Sequence, residues 1–189
     1  MDDDGGKDAL RAAALAERAT IAPGTWRAED TARTRHLLDH AAGLPRGVAA
    51  VYASRAAEPS TVEVIDGLIG QGWRVLLPVI RREVDWAEFT GWGDTVEGWG
   101  SIPQPTGLRL GAGALADASL ILVSALAVGR DWTRLGTGGG WYDKALTHRA
   151  PTAQIIAITR EAEVHATLPT LPHDVAIHGY ATEARLALR

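Results

Sequence analysis

Cysteine is absent from all 189 residues. That excludes disulfides, thiolate nucleophiles and cysteine-based zinc sites, and it fits a reducing cytoplasm. Lysine is nearly absent too. Of 19 basic side chains only Lys7 and Lys144 are lysines, so these two positions stand out in a chain rich in Ala, Arg and Gly. No stretch approaches about 18 uninterrupted apolar residues, which excludes a transmembrane helix. The opening MDDDGGKDALR is acidic, with no apolar segment behind it, unlike a secretory signal. There is no excess of positive charge either: the formal net charge is -4. A general nucleic-acid or acidic-membrane surface is therefore not expected. The expectation is a cytoplasmic protein, monomer or dimer, with no nucleic-acid or membrane partner.

A chain of this length suits one domain that buries roughly 70% of its unfolded surface. KDALRAAALAERA (7–19) is rich in strong helix formers. TARTRHLLDHAA (31–42) reads as a second helix, stopped by Gly43 and Pro45. GVAAVYAS (47–54) and WRVLLPVI (73–80) are apolar runs of strand length. STVEVIDGLIGQG (60–72) between them reads as a helix, giving a parallel crossover. DWAEFTGW (85–92) alternates like an antiparallel or edge strand. SIPQPTG (101–107) is a rigid connector. ASLILVSALAV (118–128) is the most apolar run and the expected central strand. WYDKALTHR (141–149) reads as a helix, and 153–159 and 174–182 as the last strands. The expected architecture is a single α/β domain over 7–189, behind a disordered tail at 1–6. It is a three-layer, open, mostly parallel sheet with helices on both faces.

The least ordinary stretch is RLGTGGGWYD (134–143), placed between the most apolar strand and a helix. Ligands of open α/β sheets bind at that position. Glycines let a backbone approach a ligand, and a helix N-terminus adds partial positive charge. The chemistry suits a phosphate clamped by Arg134, with Mg²⁺ held by Asp143. The loop lacks the Gly-Lys-Ser/Thr of a P-loop and the Gly-x-Gly-x-x-Gly of a dinucleotide site. On its residues alone it reads equally well as a glycine-rich turn opening a helix.

Distant residues bear on that choice. Lys7 and Arg11 lie four apart on one helical face, where like charges repel unless an anion sits between them. Glu58 follows the first strand, and Asp174 ends LPTLPHD (168–174). In this order the residues resemble the 5-formyltetrahydrofolate cyclo-ligase family, also called methenyltetrahydrofolate synthetases. The family's Lys-x-x-Leu-Arg stands as Lys7, Leu10 and Arg11. Its strand followed by Glu stands as VYASRAAEPST with Glu58, and its Ile-Pro-x-Pro as Ile102 to Pro105. Its Arg-Leu-Gly-x-Gly-x-Gly-Tyr-Tyr-Asp stands as RLGTGGGWYD. The match is collinear over nearly the whole chain.

The resemblance implies a reaction in which MgATP and 5-formyltetrahydrofolate give 5,10-methenyltetrahydrofolate, ADP and phosphate. Lys7, Arg11 and Arg134 would hold the triphosphate. Leu135, Gly136, Thr137, Gly138, Gly139 and Gly140 would form the cradle, with Trp141 and Tyr142 at the reacting groups. Asp143 and Asp174 would ligate Mg²⁺. Glu58 would bind the polar edge of the pterin, with Ala53, Gly138, Gly139 and Trp141 in the same substrate pocket. Arg134 and Tyr142 are the catalytic candidates. Phosphoryl transfer needs positioning and charge neutralisation more than a protein nucleophile.

The chain departs from the family at several positions. Ser124, Ala125, Val128 and Gly129 stand where Pro-Gly and Phe-Asp are usual. Trp132 lies in the segment whose usual glycine precedes Arg134. Thr137 replaces a frequent Arg. A non-catalytic nucleotide- or folate-binding relative, a sugar-phosphate isomerase and a plain interaction domain are the alternatives. Trp92 and Trp99 are candidates for a pterin wall or for lid packing. His36 and His40 lack a third ligand, and His173 adjoins Asp174.

Overall fold

The computed structural model describes residues 4–81, 83–172 and 174–189. The chain opens with α1 (Asp4–Arg18) and α2 (Pro23–Ala42), then runs β1 (Val48–Val51), α3 (Val62–Gly70), β2 (Arg74–Ile80) and β3 (Val84–Glu88). A ribbon of β4 (Thr95–Glu97) and β5 (Pro103–Pro105) follows. Next come β6 (Ala118–Ser124), the hairpin β7 (Ala127–Gly129) and β8 (Arg134–Leu135), and α4 (Trp141–Ala145). β9 (Gln154–Ile158), β10 (Val164–His165), β11 (Gly179–Ala181) and β12 (Leu186–Leu188) complete it.

Seven strands form the main sheet in the order β12-β11-β9-β6-β1-β2-β3. The pairs β2–β1, β1–β6, β6–β9 and β9–β11 are parallel. The edge strands β3 and β12 run antiparallel to their neighbours. From β1 the chain builds outward to β2 on one side and later to β6 and β9 on the other. The gap between β1 and β6 is therefore the switch point at which open sheets bind ligands.

Period-two alternation divides the sheet into two cores. Ala49, Val51, Val75, Leu77, Leu120 and Leu122 face Leu37, Val64 and Leu68 of α2 and α3. Ala50, Leu76, Ile121, Val123 and Ile155 face the other way, against Ala145, Leu146 and Trp86. Helical cover on that side is thin, because α4 is five residues continued by a 3₁₀ turn at Leu146–His148. The expected three-layer, mostly parallel α/β sheet is present.

Several boundaries differ from expectation. Residues 4–6, expected in a disordered tail, form the first turn of α1. α2 begins at Pro23, well before Thr31. Proline is tolerated in a first helical turn because its missing N–H would be unpaired there, so Pro23 is a start rather than a break. The run 118–128 is not one strand: β6 ends at Ser124, and β7 joins a separate sheet with β8 and β10. The glycine loop therefore follows β8, not the central strand. Of 174–182, Gly179–Ala181 alone is a strand, and β12 pairs with it antiparallel.

Candidate active site

A cavity of about 980 Å³ opens where β1, β2 and β6 end, lined there by Tyr52, Ala53, Pro78, Ile80 and Ser124. Its other walls are α1, the loop after β8, the start of α4, and Leu171 with Asp174. Lys7, Arg11, Ala53, Glu58, Arg134, Leu135, Gly136, Thr137, Gly138, Gly139, Gly140, Trp141, Tyr142, Asp143 and Asp174, the candidates from the sequence, all line it.

Arg134 reaches the end of the central strand through space rather than through sequence. The β7–β8 hairpin folds back, and Arg134 Nη1 donates to the Ser124 carbonyl at 3.4 Å. Its Nη2 donates to Asp143 Oδ1 at 2.8 Å. Its Nε is buried without a partner among the described residues. The guanidinium lies 6.0 Å from the Tyr142 ring centre. Arg134 thus approaches the cavity with one donor uncommitted, a costly arrangement for a buried polar group.

The loop itself is shaped by glycine. Gly138 has φ +95° and Gly140 φ +64°, conformations that side-chain-bearing residues avoid. Gly140 caps α4, and its carbonyl accepts from the Lys144 N–H at 3.2 Å. Arg11 Nε donates to the Gly136 carbonyl at 3.1 Å, tying α1 to the loop. Arg11 Nη1 also donates to Asp8, one turn earlier, at 2.6 Å.

Lys7 is 4% exposed, whereas Lys144 lies on the surface at the end of α4. Lys7 Nζ donates to Asp174 Oδ2 at 2.5 Å, and the Leu171 N–H donates to the same oxygen at 2.7 Å. Cations and carboxylates therefore converge in pairs, Lys7 with Asp174 and Arg134 with Asp143. Among the described residues no three His, Asp or Glu side chains gather as a metal cluster.

Glu58 lines the cavity from the turn after β1. It accepts from the Arg55 N–H at 3.1 Å and from Arg55 Nε at 3.3 Å. Tyr142 Oη is buried with no partner among the described residues. Burial, then the nearby Glu58 charge, holds its phenol far above the usual range, so it remains a donor. Tyr52 is also held protonated, first by burial, and donates to the Pro59 carbonyl at 2.7 Å. Trp141 packs edge-on against Trp86 and Tyr142, with ring centres at 5.4 Å and 5.0 Å.

The remaining candidates separate. Trp99 lines the cavity and is 68% exposed. Trp92 packs on Phe89 and donates to Asp66 at 2.8 Å, so it belongs to the packing. His40, on α2, meets Gln154 at the start of β9, and His173 lies outside the described residues. Arg55 and Arg81 line the cavity without having been singled out from sequence, and Ser124, noted there as a departure, lines it too. For Arg55, the turn that places it beside Glu58 was the available signal.

The departures also have places. Trp132 takes φ +71°, a conformation that glycine adopts most readily. Its carbonyl accepts from the Ile177 N–H, and its ring packs over Tyr180 at 6.1 Å. At Gly129 an added Cβ would stand 2.0 Å from Asp131 Oδ1, the end of a side chain that would have to turn aside. Thr137 is exposed at the loop tip and lines the cavity.

The sequence profile of the 5-formyltetrahydrofolate cyclo-ligase family matches residues 3–183. A 5-formyltetrahydrofolate cyclo-ligase from Mycolicibacterium smegmatis is 36% identical, over 97% of each chain. The solved structure of a 5,10-methenyltetrahydrofolate synthetase from Aquifex aeolicus superposes with TM-score 0.78 at 20% identity, over 96% of this chain and 92% of that one. One from Mycoplasma pneumoniae does so with TM-score 0.75 at 17% identity, over 94% and 98%. These two solved structures speak to the fold. Among the described residues no helix is long and apolar enough to cross a membrane.

Proposed function

The chain belongs to the 5-formyltetrahydrofolate cyclo-ligase family, and from that premise we propose how its cavity works. The reaction is the ATP-dependent cyclisation of 5-formyltetrahydrofolate to 5,10-methenyltetrahydrofolate, with release of ADP and phosphate. The observation that carries the assignment of roles is convergence. Three cations, two carboxylates and Glu58 come from five separate segments into one cavity at the switch point.

Lys7, Arg11 and Arg134 hold the triphosphate. The unpartnered Nε of Arg134 is a donor awaiting an acceptor, and a phosphate oxygen suits it. The backbone of Gly136 to Gly140 supplies N–H groups, completed by the start of α4. Asp143 and Asp174 fit Mg²⁺, a hard cation usually held by one or two carboxylates together with phosphates and waters. Held there, Mg²⁺ would neutralise charge on the phosphates; two acidic oxygen donors suffice for it, so the lack of a larger cluster among the described residues is no obstacle.

Glu58 faces the folate and accepts hydrogen bonds from the pterin edge, exchanging its Arg55 donor for the ligand. Ala53, at the end of β1, leaves room beside it. The formyl oxygen attacks the γ-phosphorus, and the bond to the β-phosphate bridge breaks to release ADP. N10 then attacks the activated carbon, losing its proton, and the C–O bond to phosphate breaks. Tyr142, kept protonated and unpartnered, donates to oxygen at the reacting centre. Arg134 offsets the charge that develops on the transferred group.

The isomerase alternative gives Lys7 and Arg11 no role. A cavity of about 980 Å³ speaks against a plain interaction domain, and the non-catalytic relative is separated by turnover. Purified protein with Mg²⁺, ATP and 5-formyltetrahydrofolate should accumulate the methenyl product, followed by its absorbance, and should not do so without ATP. A folded protein that binds ATP and gives no product would refute the catalytic reading.

A further inference from the structure

α1 carries two of the proposed triphosphate ligands, yet it has almost no apolar anchor. Among the side chains described in this helix, Lys7 and Arg18 alone are buried. Leu10 is half-buried against the small cluster of Ala127, Leu135 and Leu168. The helix is therefore pinned by a buried cation near each end. Eleven residues on an α-helix return to within about 20° of the same face, so Lys7 and Arg18 point the same way.

The two pins differ. Lys7 is held by Asp174 inside the cavity. Arg18 is held outside the proposed contacts, by Glu163 beyond β9. Its Nε and Nη2 donate to the two Glu163 oxygens at 2.6 Å and 2.7 Å. Both side chains are nearly inaccessible, at 1% and 3%. Glu163 is fixed in turn by the Thr159 hydroxyl at 2.6 Å and the Arg160 N–H at 3.0 Å. Arg18 also reaches the residues next to two cavity-lining ones, Ser124 and Glu58: Nη2 donates to the Ala125 carbonyl beyond β6 at 2.7 Å, and Nη1 to the Ala57 carbonyl at 3.3 Å. Ala57 sits at φ +63° and precedes Glu58, so its turn is strained and needs holding.

We propose that Arg18, locked by Glu163, is the positioning residue that keeps α1 and the Ala57–Glu58 turn on the cavity. Its role matters most when Lys7 leaves Asp174 for a ligand, because Arg18 is then the buried pin that remains. This rests on the nucleotide reading of the cavity. Arg18 touches neither ligand in that reading, so its effect is on affinity and alignment, transmitted through two segments that do.

The test uses the full chain and the variants Arg18→Met, Arg18→Met with Glu163→Gln, and Arg18→Lys. Removing one buried charge alone destabilises; neutralising both relieves that cost. The amide introduced by Glu163→Gln keeps an oxygen for Thr159 and Arg160. The double variant should thus melt closer to wild type than the single one, while its KM for ATP and for the folate each rise roughly tenfold and kcat stays within about threefold. The dissociation constant for a non-hydrolysable ATP analogue should rise with the KM. Arg18→Lys keeps the ion pair but not the fork to Ala57 and Ala125, so it should recover stability more than affinity. A folded double variant with wild-type KM and dissociation constants would overturn the proposal. A wild-type protein that binds no ATP analogue would instead overturn the nucleotide reading, and the proposal with it, before any variant is compared.

Discussion

Lys7 Nζ lies 2.5 Å from Asp174 Oδ2, although 167 positions separate them in the chain. A cation proposed for phosphate is thus stored on a carboxylate proposed for metal, and Arg134 with Asp143 repeats the arrangement. On the proposed reading, MgATP entry would exchange these two internal pairs for contacts to phosphate and metal.

Lys7→Met removes one side of that exchange. Truncating one member of a buried, hydrogen-bonded charge pair typically weakens binding by about 2 kcal/mol or more. The KM for ATP should rise at least about tenfold. The folate KM should change by less than about threefold, because Glu58 and Ala53 lie on another wall. Initial-rate kinetics with each substrate varied in turn checks the split.

Asp143→Asn keeps an oxygen to accept from Arg134 and removes the negative charge. The fold should persist, with melting temperature shifted by no more than a few degrees. The Mg²⁺ concentration for half-maximal rate should rise, and kcat/KM should fall by roughly a hundredfold. Mg²⁺ titration of the rate, beside calorimetric binding of Mg²⁺ with ATP, measures both.

Tyr142→Phe deletes a hydroxyl with no partner among the described residues. Losing an unsatisfied buried group costs little, so stability should hold within about 1 kcal/mol or improve. If the hydroxyl donates at the reacting centre, kcat should drop roughly tenfold or more. Urea unfolding and steady-state rates on the same preparation separate the two effects.

His178 supplies a pH dependence away from the cavity. Its Nδ1 accepts from the Ile155 N–H at 3.0 Å, which requires an unprotonated nitrogen. Burial first, then Arg149 and Arg189, lowers its pKa below the ordinary 6.5. The unfolded chain therefore takes up this proton at higher pH than the folded one. The stabilisation is fully present above about pH 6.5 and is lost as pH falls toward and through the folded value. His178→Asn offers an oxygen acceptor that does not titrate. Urea midpoints from about pH 7.5 to about pH 5.5 should fall more steeply for wild type than for the variant.

The sheet and the cavity were legible in the sequence to different depths. Short apolar runs announce β1, β2, β6 and β9, because strands covered on both faces must be apolar throughout. Apolarity does not say which sheet a run joins, so 118–128 looked continuous although β6 and β7 belong to different sheets. The half-exposed edge strand β12 leaves little pattern. The cavity residues were found through the order of motifs along the chain, not through the glycine loop by itself. Arg18 and Glu163, 145 positions apart, gave no local signal. A buried ion pair between distant segments is visible only after folding.

The central claim is that ATP is consumed in closing the folate ring. The most direct measurement is the ratio of phosphate released to methenyl product formed, read in one reaction with Mg²⁺ and excess ATP. The account predicts about one phosphate per product, with neither appearing when ATP or 5-formyltetrahydrofolate is omitted. Phosphate released without product, or product formed without ATP, would contradict it.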